Sequence, residues 1–207
     1  MILNKIINRF INKRSNNKSK ISEISRKLPN NIAITYSIQY KEMANEIKDI
    51  LSKSHNIIKI QQVLGCSNPE FPKNTQAVLL IGSGRFHAIS LALETSLPIY
   101  IYTNGGLESI SSSEIDSFRK KKKGSYLKYL SSKNIGILVS TKPGQQKLEK
   151  ALEFRKKLKN KKSYIFIANN INTSEFENFD IDCWVNTACP RMDMNAGVVN
   201  LKDITKN

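Results

Sequence analysis

The stretch Ala77-Val78-Leu79-Leu80-Ile81-Gly82-Ser83-Gly84-Arg85-Phe86-His87 decides the fold. Its apolar run from Ala77 to Ile81 is short and unbroken, the pattern of a strand buried on both faces. A Gly-x-Gly turn follows at once, and the spacing beyond it predicts a helix over Arg85–Thr95. Pro98 then precedes a further apolar run, Ile99–Tyr102, which reads as a strand. Strand, turn, helix and strand in this order form the repeating unit of a parallel sheet.

Outward from this stretch the same grammar recurs. On the N-terminal side, Ile32–Ile38 reads as a strand. Lys41–Lys53 reads as a helix with Met43, Ala44, Ile47, Ile50 and Leu51 on one face. Ile57–Ile60 is a short strand leading into Gln62–Cys66, and Asn68-Pro69 and Pro72-Lys73-Asn74 mark loop. On the C-terminal side, Asn104-Gly105-Gly106 punctuates the start of a basic helical connection, Ser109–Lys133, weakened at Gly124. The pattern then begins again with strand Ile135–Val139 and a helix after Pro143-Gly144 that turns Leu148, Ala151, Leu152 and Leu158 inward. Strand Ser163–Ala168, a turn-rich helix near Thr173–Asn178, strand Cys183–Thr187 and a last strand at Val198–Leu201 complete it. Ile32-Ala33-Ile34-Thr35 thus matches Ile135-Gly136-Ile137-Leu138 in place, and the strand at Ala77 matches the strand at Trp184. The expected fold class is α/β, with two small related parallel-sheet α/β/α domains at 28–108 and 109–207 behind a basic N-terminal arm at 1–27.

Composition narrows the function classes. The 207 residues suffice for one compact domain or two small ones, and 40% hydrophobic content is ordinary for a globular chain. No apolar run approaches the roughly 20 residues that span a bilayer. Met1–Ile11 is broken by Asn, Lys and Arg and lacks a signal-peptide core, so the expected location is cytoplasmic, with no membrane partner. The net charge of +16, from 33 basic and 17 acidic residues, would draw a nucleic acid or an acidic partner. Nearly all of that excess is lysine, in a chain also crowded with Asn and Ile, so a compositional bias of the genome explains it equally well. Clustering occurs at Lys5 to Lys27 and at Arg119-Lys120-Lys121-Lys122-Lys123. Three cysteines argue against a disulfide framework and leave metal binding or inert packing, and the lack of a C-x-x-C and of a His pair at zinc spacing argues against a self-contained zinc site.

Chemistry-bearing residues fall at the carboxyl ends of expected strands, where parallel α/β sheets bind ligands. They are Val63-Leu64-Gly65-Cys66, Gly82-Ser83-Gly84-Arg85-Phe86-His87, Ser140-Thr141-Lys142-Pro143-Gly144-Gln145 and Asn186-Thr187-Ala188-Cys189-Pro190-Arg191. The Gly82-Ser83-Gly84 turn offers backbone N–H groups at a helix start, and Arg85 adds a donor fork suited to a carboxylate. The plain alternative is a strand-to-helix turn that needs small residues. His87 either lines the site or is an ordinary helix histidine, and His55 reads as a solvated loop residue. Lys142, Gly144 and Gln145 combine a cation and an amide at a helix start. Cys183 lies on the strand that leads to Cys189, about 20 Å from it along an extended backbone, and reads as structural.

In this order the motifs resemble the diphthamide synthase family, which makes 2-(3-amino-3-carboxypropyl)histidine on elongation factor 2. The resemblance runs from about Leu28 to the C-terminus. Members are built from three related α/β domains, each giving one cysteine to a 4Fe–4S cluster, and only the second and third are found here. The resemblance implies that Cys66 and Cys189 are metal ligands. It also implies that Gly82, Ser83, Gly84, Arg85, His87, Lys142, Gly144, Gln145 and Arg191 line the site for S-adenosylmethionine, the co-substrate. It assigns no catalytic residue beyond cluster and cofactor. The expected function is therefore the C-terminal part of a split radical enzyme that transfers the 3-amino-3-carboxypropyl group to a histidine of elongation factor 2. A separate chain would supply the first domain and third cysteine, within a homo- or hetero-oligomer and with no direct nucleic-acid binding required. Two rivals stay open: a non-catalytic cluster-binding or electron-transfer subunit of that enzyme, and a basic RNA-binding α/β module.

Overall fold

The computed structural model describes residues 21, 24–64, 69–82, 84–103, 106–176, 178–190 and 197–205. The chain divides into two compact units, residues 1–115 and 116–207.

In the first unit, β1 (Asn31–Tyr36), α1 (Lys41–Leu51), β2 (Asn56–Gln62), β3 (Ala77–Ile81), α2 (Arg85–Thr95), β4 (Ile99–Thr103) and β5 (Gly106–Ser109) follow one another. The sheet order is β2-β1-β3-β4-β5. The first four strands run parallel, and β5 turns back antiparallel to β4. Alternation along β1 and β3 sends Ile32, Ile34, Leu79 and Ile81 to one face, where Ala44, Ile47 and Leu51 of α1 cover them. Ala33, Val78 and Leu80 point to the opposite face and are fully buried there.

The second unit takes up most of α3 (Ser112–Ser131), followed by β6 (Asn134–Ser140), α4 (Leu148–Lys157), β7 (Lys162–Ala168), β8 (Cys183–Asn186), β9 (Val198–Asn200) and the short α5 (Leu201–Thr205). Its sheet is parallel throughout, in the order β7-β6-β8-β9. Ile135, Ile137, Val139, Cys183 and Val185 pack on one face against Tyr129 of α3 and Ala151 and Phe154 of α4. The ammonium of Lys161 donates to the carbonyls of Tyr129, Leu130 and Ser132, closing the carboxyl end of α3 with a cation. At the start of β6, backbone N–H groups of Asn134 and Lys133 donate to the carboxylate of Asp182, each at 2.8 Å. Those bonds hold that carboxyl below its ordinary range.

The α/β expectation holds in both sheets. Five details differ from the sequence reading. Ile38 lies past the end of β1 in a 3-10 turn, Ile38–Tyr40, and is 59% exposed. The inward stripe of α4 centres on Ala151 and Phe154 and continues to Leu158 just past its end, with Leu148 at its edge; Leu152, one helical step of about 100° beyond Ala151, faces out. Strand β5, Gly106-Leu107-Glu108-Ser109, has a single large apolar residue and no apolar alternation, and it takes in Ser109, read as the start of the helical connection. Ile21 and Ile24, from the segment read as an arm, are buried with Leu28 in the core of the first unit. His55, read as solvated, sits between Ser25 Oγ at 2.8 Å and the carbonyl of Pro29 at 3.0 Å and ties that segment down.

Candidate cofactor site at the strand ends

In the first unit, β3 ends at Ile81 and the chain turns through Gly82 and Gly84 into α2. Both glycines have an intramolecular reason: a Cβ at Gly82 would lie 2.9 Å from Ser37 Oγ, and one at Gly84 would strike His87 Nδ1. Arg85 spends its fork inside the chain as well. Its Nε and one terminal nitrogen hold both oxygens of Glu114 at 2.9 and 2.7 Å, and its other terminal nitrogen reaches Glu108 at 3.1 Å. The Arg85 hydrogen bond holds the Glu114 carboxyl below its ordinary value. His87 stands in the first turn of α2, with its ring edge-on to Phe86.

Two neighbours in the β1–β2 register, Thr35 and Gln61, supply polar atoms that sequence reading passed over. Thr35 is fully buried, and neither its Oγ1 nor Gln61 Nε2 has a hydrogen-bond partner among the described residues. Buried polar groups are rarely left unpaired, so this pair is a ready contact for a bound polar group. Gln61 lies just upstream of the segment that carries Cys66.

In the second unit, the ends of the neighbouring strands β6 and β8 carry the remaining motifs. Past β6, Gly144 has φ +76°, and the N–H of Gln145 donates to the carbonyl of Lys142 at 3.0 Å. Pro143 and Gly144 then occupy the central positions of a turn that favours those residues. Lys142 N–H donates to Ser140 Oγ, whose hydroxyl in turn donates to the carbonyl of Asn169.

Past β8, a buried amide pair fixes the turn that bears Cys189. Asn186 Nδ2 donates to the carbonyl of Cys189 and to Asn200 Oδ1, both at 2.7 Å. Asn186 Oδ1 accepts from the N–H of Ala188 at 2.9 Å, and Asn200 Nδ2 donates to the carbonyl of Pro190 at 3.4 Å. Asn186 and Asn200 are only 2% and 4% exposed, so neither amide is satisfied by solvent. Asn186 stood in the quoted motif without a role, and Asn200 carried no signal beyond an Asn at the end of an apolar strand.

The two described cysteines contrast. Both are free thiols, Cys189 half-buried and Cys183 fully buried. Burial pushes the Cys183 thiol up to about 11, and its Sγ rests near the carbonyls of Trp184 and Gly197. A ligating cysteine must give up its proton, so Cys183 is poorly suited and Cys189, on a rigid strand-end turn, fits a thiolate ligand. Cys66, Ser83 and Arg191 lie outside the described residues.

A doubly repeated parallel α/β architecture with a free cysteine clamped at a strand end is a scaffold for a strand-end cofactor site. Residues 5–198 match the family described as "Putative diphthamide synthesis protein", and the chain belongs to that family. It is 30% identical over 193 residues to the 2-(3-amino-3-carboxypropyl)histidine synthase of Pyrococcus horikoshii, covering 86% of this chain and 55% of that protein. It is 29% identical to 2-(3-amino-3-carboxypropyl)histidine synthase subunit 1 of Schizosaccharomyces pombe, covering 93% of this chain and 49% of that one. The crystal structure of Dph2 from Pyrococcus horikoshii with a 4Fe–4S cluster superposes at a TM-score of 0.78 and 27% identity, covering 93% of this chain and 60% of that one. The chain thus spans about half the length of the curated relatives it matches.

Proposed function

We propose that this chain forms the later two units of an enzyme that transfers the 3-amino-3-carboxypropyl group of S-adenosylmethionine to a histidine of elongation factor 2. The observation that carries the reading is the Cys189 turn. A free, half-buried thiol is held at the end of β8 by the Asn186–Asn200 pair, in a family with a cluster-bearing relative.

Cys66 and Cys189 would ligate the cluster, and a separate polypeptide would supply the family's first domain and the third cysteine. When bound, the cluster supplies the electron for a radical cleavage of S-adenosylmethionine. This chain's part is to bind and orient. Within residues 1–115 the backbone of Gly82–Gly84, with Thr35 and Gln61, would meet polar groups of the co-substrate; within residues 116–207 Lys142, Gly144, Gln145 and Arg191 would do so. Arg85 and His87 shape the turn, since Arg85 is already engaged by Glu114 and Glu108. The working assembly is an oligomer in the cytoplasm. No described helix is long and apolar enough to cross a membrane.

Anaerobic reconstitution with iron and sulfide tests this reading, with and without a candidate chain that carries the family's first domain. Iron retained only with that partner, and lost in Cys66→Ala and Cys189→Ala but not in Cys183→Ala, is the expected result. Iron binding unaffected by Cys189→Ala would overturn it. A cluster that forms with no transfer of the aminocarboxypropyl group to elongation factor 2 would favour the non-catalytic subunit.

A further inference from the structure

The second unit contains a cavity of about 270 Å³ lined by none of the residues assigned to the co-substrate. One wall is the turn from Asn186 to Pro190, and the other is the face of α4 from Lys150 to Lys157. Lys147, Lys150, Lys157 and Lys202 line it, and Phe154 and Leu201 give it an apolar floor. Among the described residues the ammonium groups of Lys147, Lys150 and Lys157 have no hydrogen-bond or ion-pair partner. Glu153, the one carboxylate in the lining, pairs with none of them. Like charges that converge on a concave surface raise the local potential and attract an anion. Lys147 to Lys157 extends about 15 Å along the helix axis, longer than a single phosphate needs. The cavity itself approaches the lower end of small-ligand sites, roughly 300 Å³ and upward.

We propose that this cavity binds a diphosphate-bearing small molecule, with Lys147, Lys150 and Lys157 neutralising the phosphates and Phe154 and Leu201 offering an apolar surface to whatever the diphosphate carries. The chain's basic character, left ambiguous by composition, then has one local use. Because the Asn186–Pro190 turn is a shared wall, an occupant sits directly behind the turn that bears Cys189.

Titration calorimetry on the full chain with inorganic pyrophosphate, ADP and adenosine tests the proposal. It reads neither iron nor transfer, so it stands or falls apart from the cluster reading. Saturable binding of pyrophosphate and ADP is expected, with at least tenfold weakening in Lys147→Gln/Lys150→Gln/Lys157→Gln. The matched set Lys41→Gln/Lys48→Gln/Lys53→Gln in the first unit should change the affinity less than twofold. ADP tighter than pyrophosphate assigns the apolar floor to a nucleoside, and equal affinities assign the site to the diphosphate alone. Three outcomes would overturn it: no saturable binding of either anion, adenosine binding as tightly as ADP, or equal weakening by both lysine sets. So would a single-stranded RNA oligonucleotide weakened by the triple change while pyrophosphate is not. Far-ultraviolet circular dichroism verifies that both exposed-lysine variants are folded.

Discussion

The two units share a sheet plan and diverge in how they cover it. β1, β2, β3 and β4 of the first sheet correspond in order to β6, β7, β8 and β9 of the second. Ala33 pairs with Val78 where Gly136 pairs with Trp184. In the first unit this face carries Ala33, Val78 and Leu80, all fully buried. In the second, the Trp184 ring lies so close over Gly136 that an added Cβ would collide with it. Phe166 and Phe176 close round that ring at 4.9 and 5.6 Å between centroids. One topology therefore admits two solutions, a face of buried aliphatic side chains or an aromatic lid seated on a glycine. The cysteine motifs diverge too. Cys189 follows β8, the counterpart of β3, whereas Cys66 follows β2, so the repeat copied the sheet without copying the chemistry.

The sharpest way to break this comparison is Gly136→Val. Overpacking beneath Trp184 should cost about 3 kcal/mol, near the upper end for inserted methyl groups. The reciprocal change in the first unit, Ala33→Gly, should cost only about 1 kcal/mol. Urea denaturation of both variants measures the difference, and equal costs would mean that the lid is not fixed on its glycine.

Asn186→Ala comes next. It removes the bond that Asn200 Oδ1 accepts and frees the Cys189 carbonyl, a loss of about 2 kcal/mol. Cys189 should then react several-fold faster with iodoacetamide in the metal-free chain. Leu80→Ala, at the corresponding place in β3, should lower stability without changing that rate. Peptide mapping of the labelled protein separates Cys189 from Cys183, which should stay nearly unlabelled near neutral pH.

A smaller effect is expected at the end of β6. Gly144→Ala forces a side chain into φ +76° and should cost about 1 kcal/mol by thermal melting. Lys142→Ala in the same turn leaves the backbone unstrained and should leave the melting temperature nearly unchanged.

The smallest effects are electrostatic and differ between units. Glu114 and Asp182 both have lowered carboxyl values, the first through Arg85 and the second through backbone N–H groups of Asn134 and Lys133. A lowered value in the folded state adds stability above the unfolded carboxylate range, and that stability is lost as the pH falls through the folded value. The melting difference between wild type and Glu114→Gln, or Asp182→Asn, should therefore be present near neutrality and vanish in acid. Added salt should shrink the Glu114 effect, which rests on its ion pair with Arg85, more than that of Asp182, which rests chiefly on backbone N–H groups.

Much of the strand and helix plan was legible, because short apolar runs and Gly or Pro punctuation report burial and turns directly. Arg85–Thr95 and Ala77–Ile81 fall at the expected bounds. Strand β5 was not legible, since its four residues gain their pairing from β4 rather than from their own pattern. Leu152 was misplaced because several apolar residues competed for one stripe, and Phe154 filled it.

At the candidate site the sequence by itself determined which residues could carry chemistry: the free cysteine with its Pro neighbour, the Gly-x-Gly turn and the Lys-Pro-Gly-Gln turn. Composition and local spacing are properties of neighbours along the chain, and they are written there in full. Only the tertiary structure decided what those residues touch. It gave Arg85 to Glu114, joined Asn186 to Asn200 across 14 positions of chain, and brought lysines of α4 against the back of the Cys189 turn. Pairings of that kind depend on which strand ends lie side by side, and the register of a parallel sheet is set by burial of its whole face, not by any one motif.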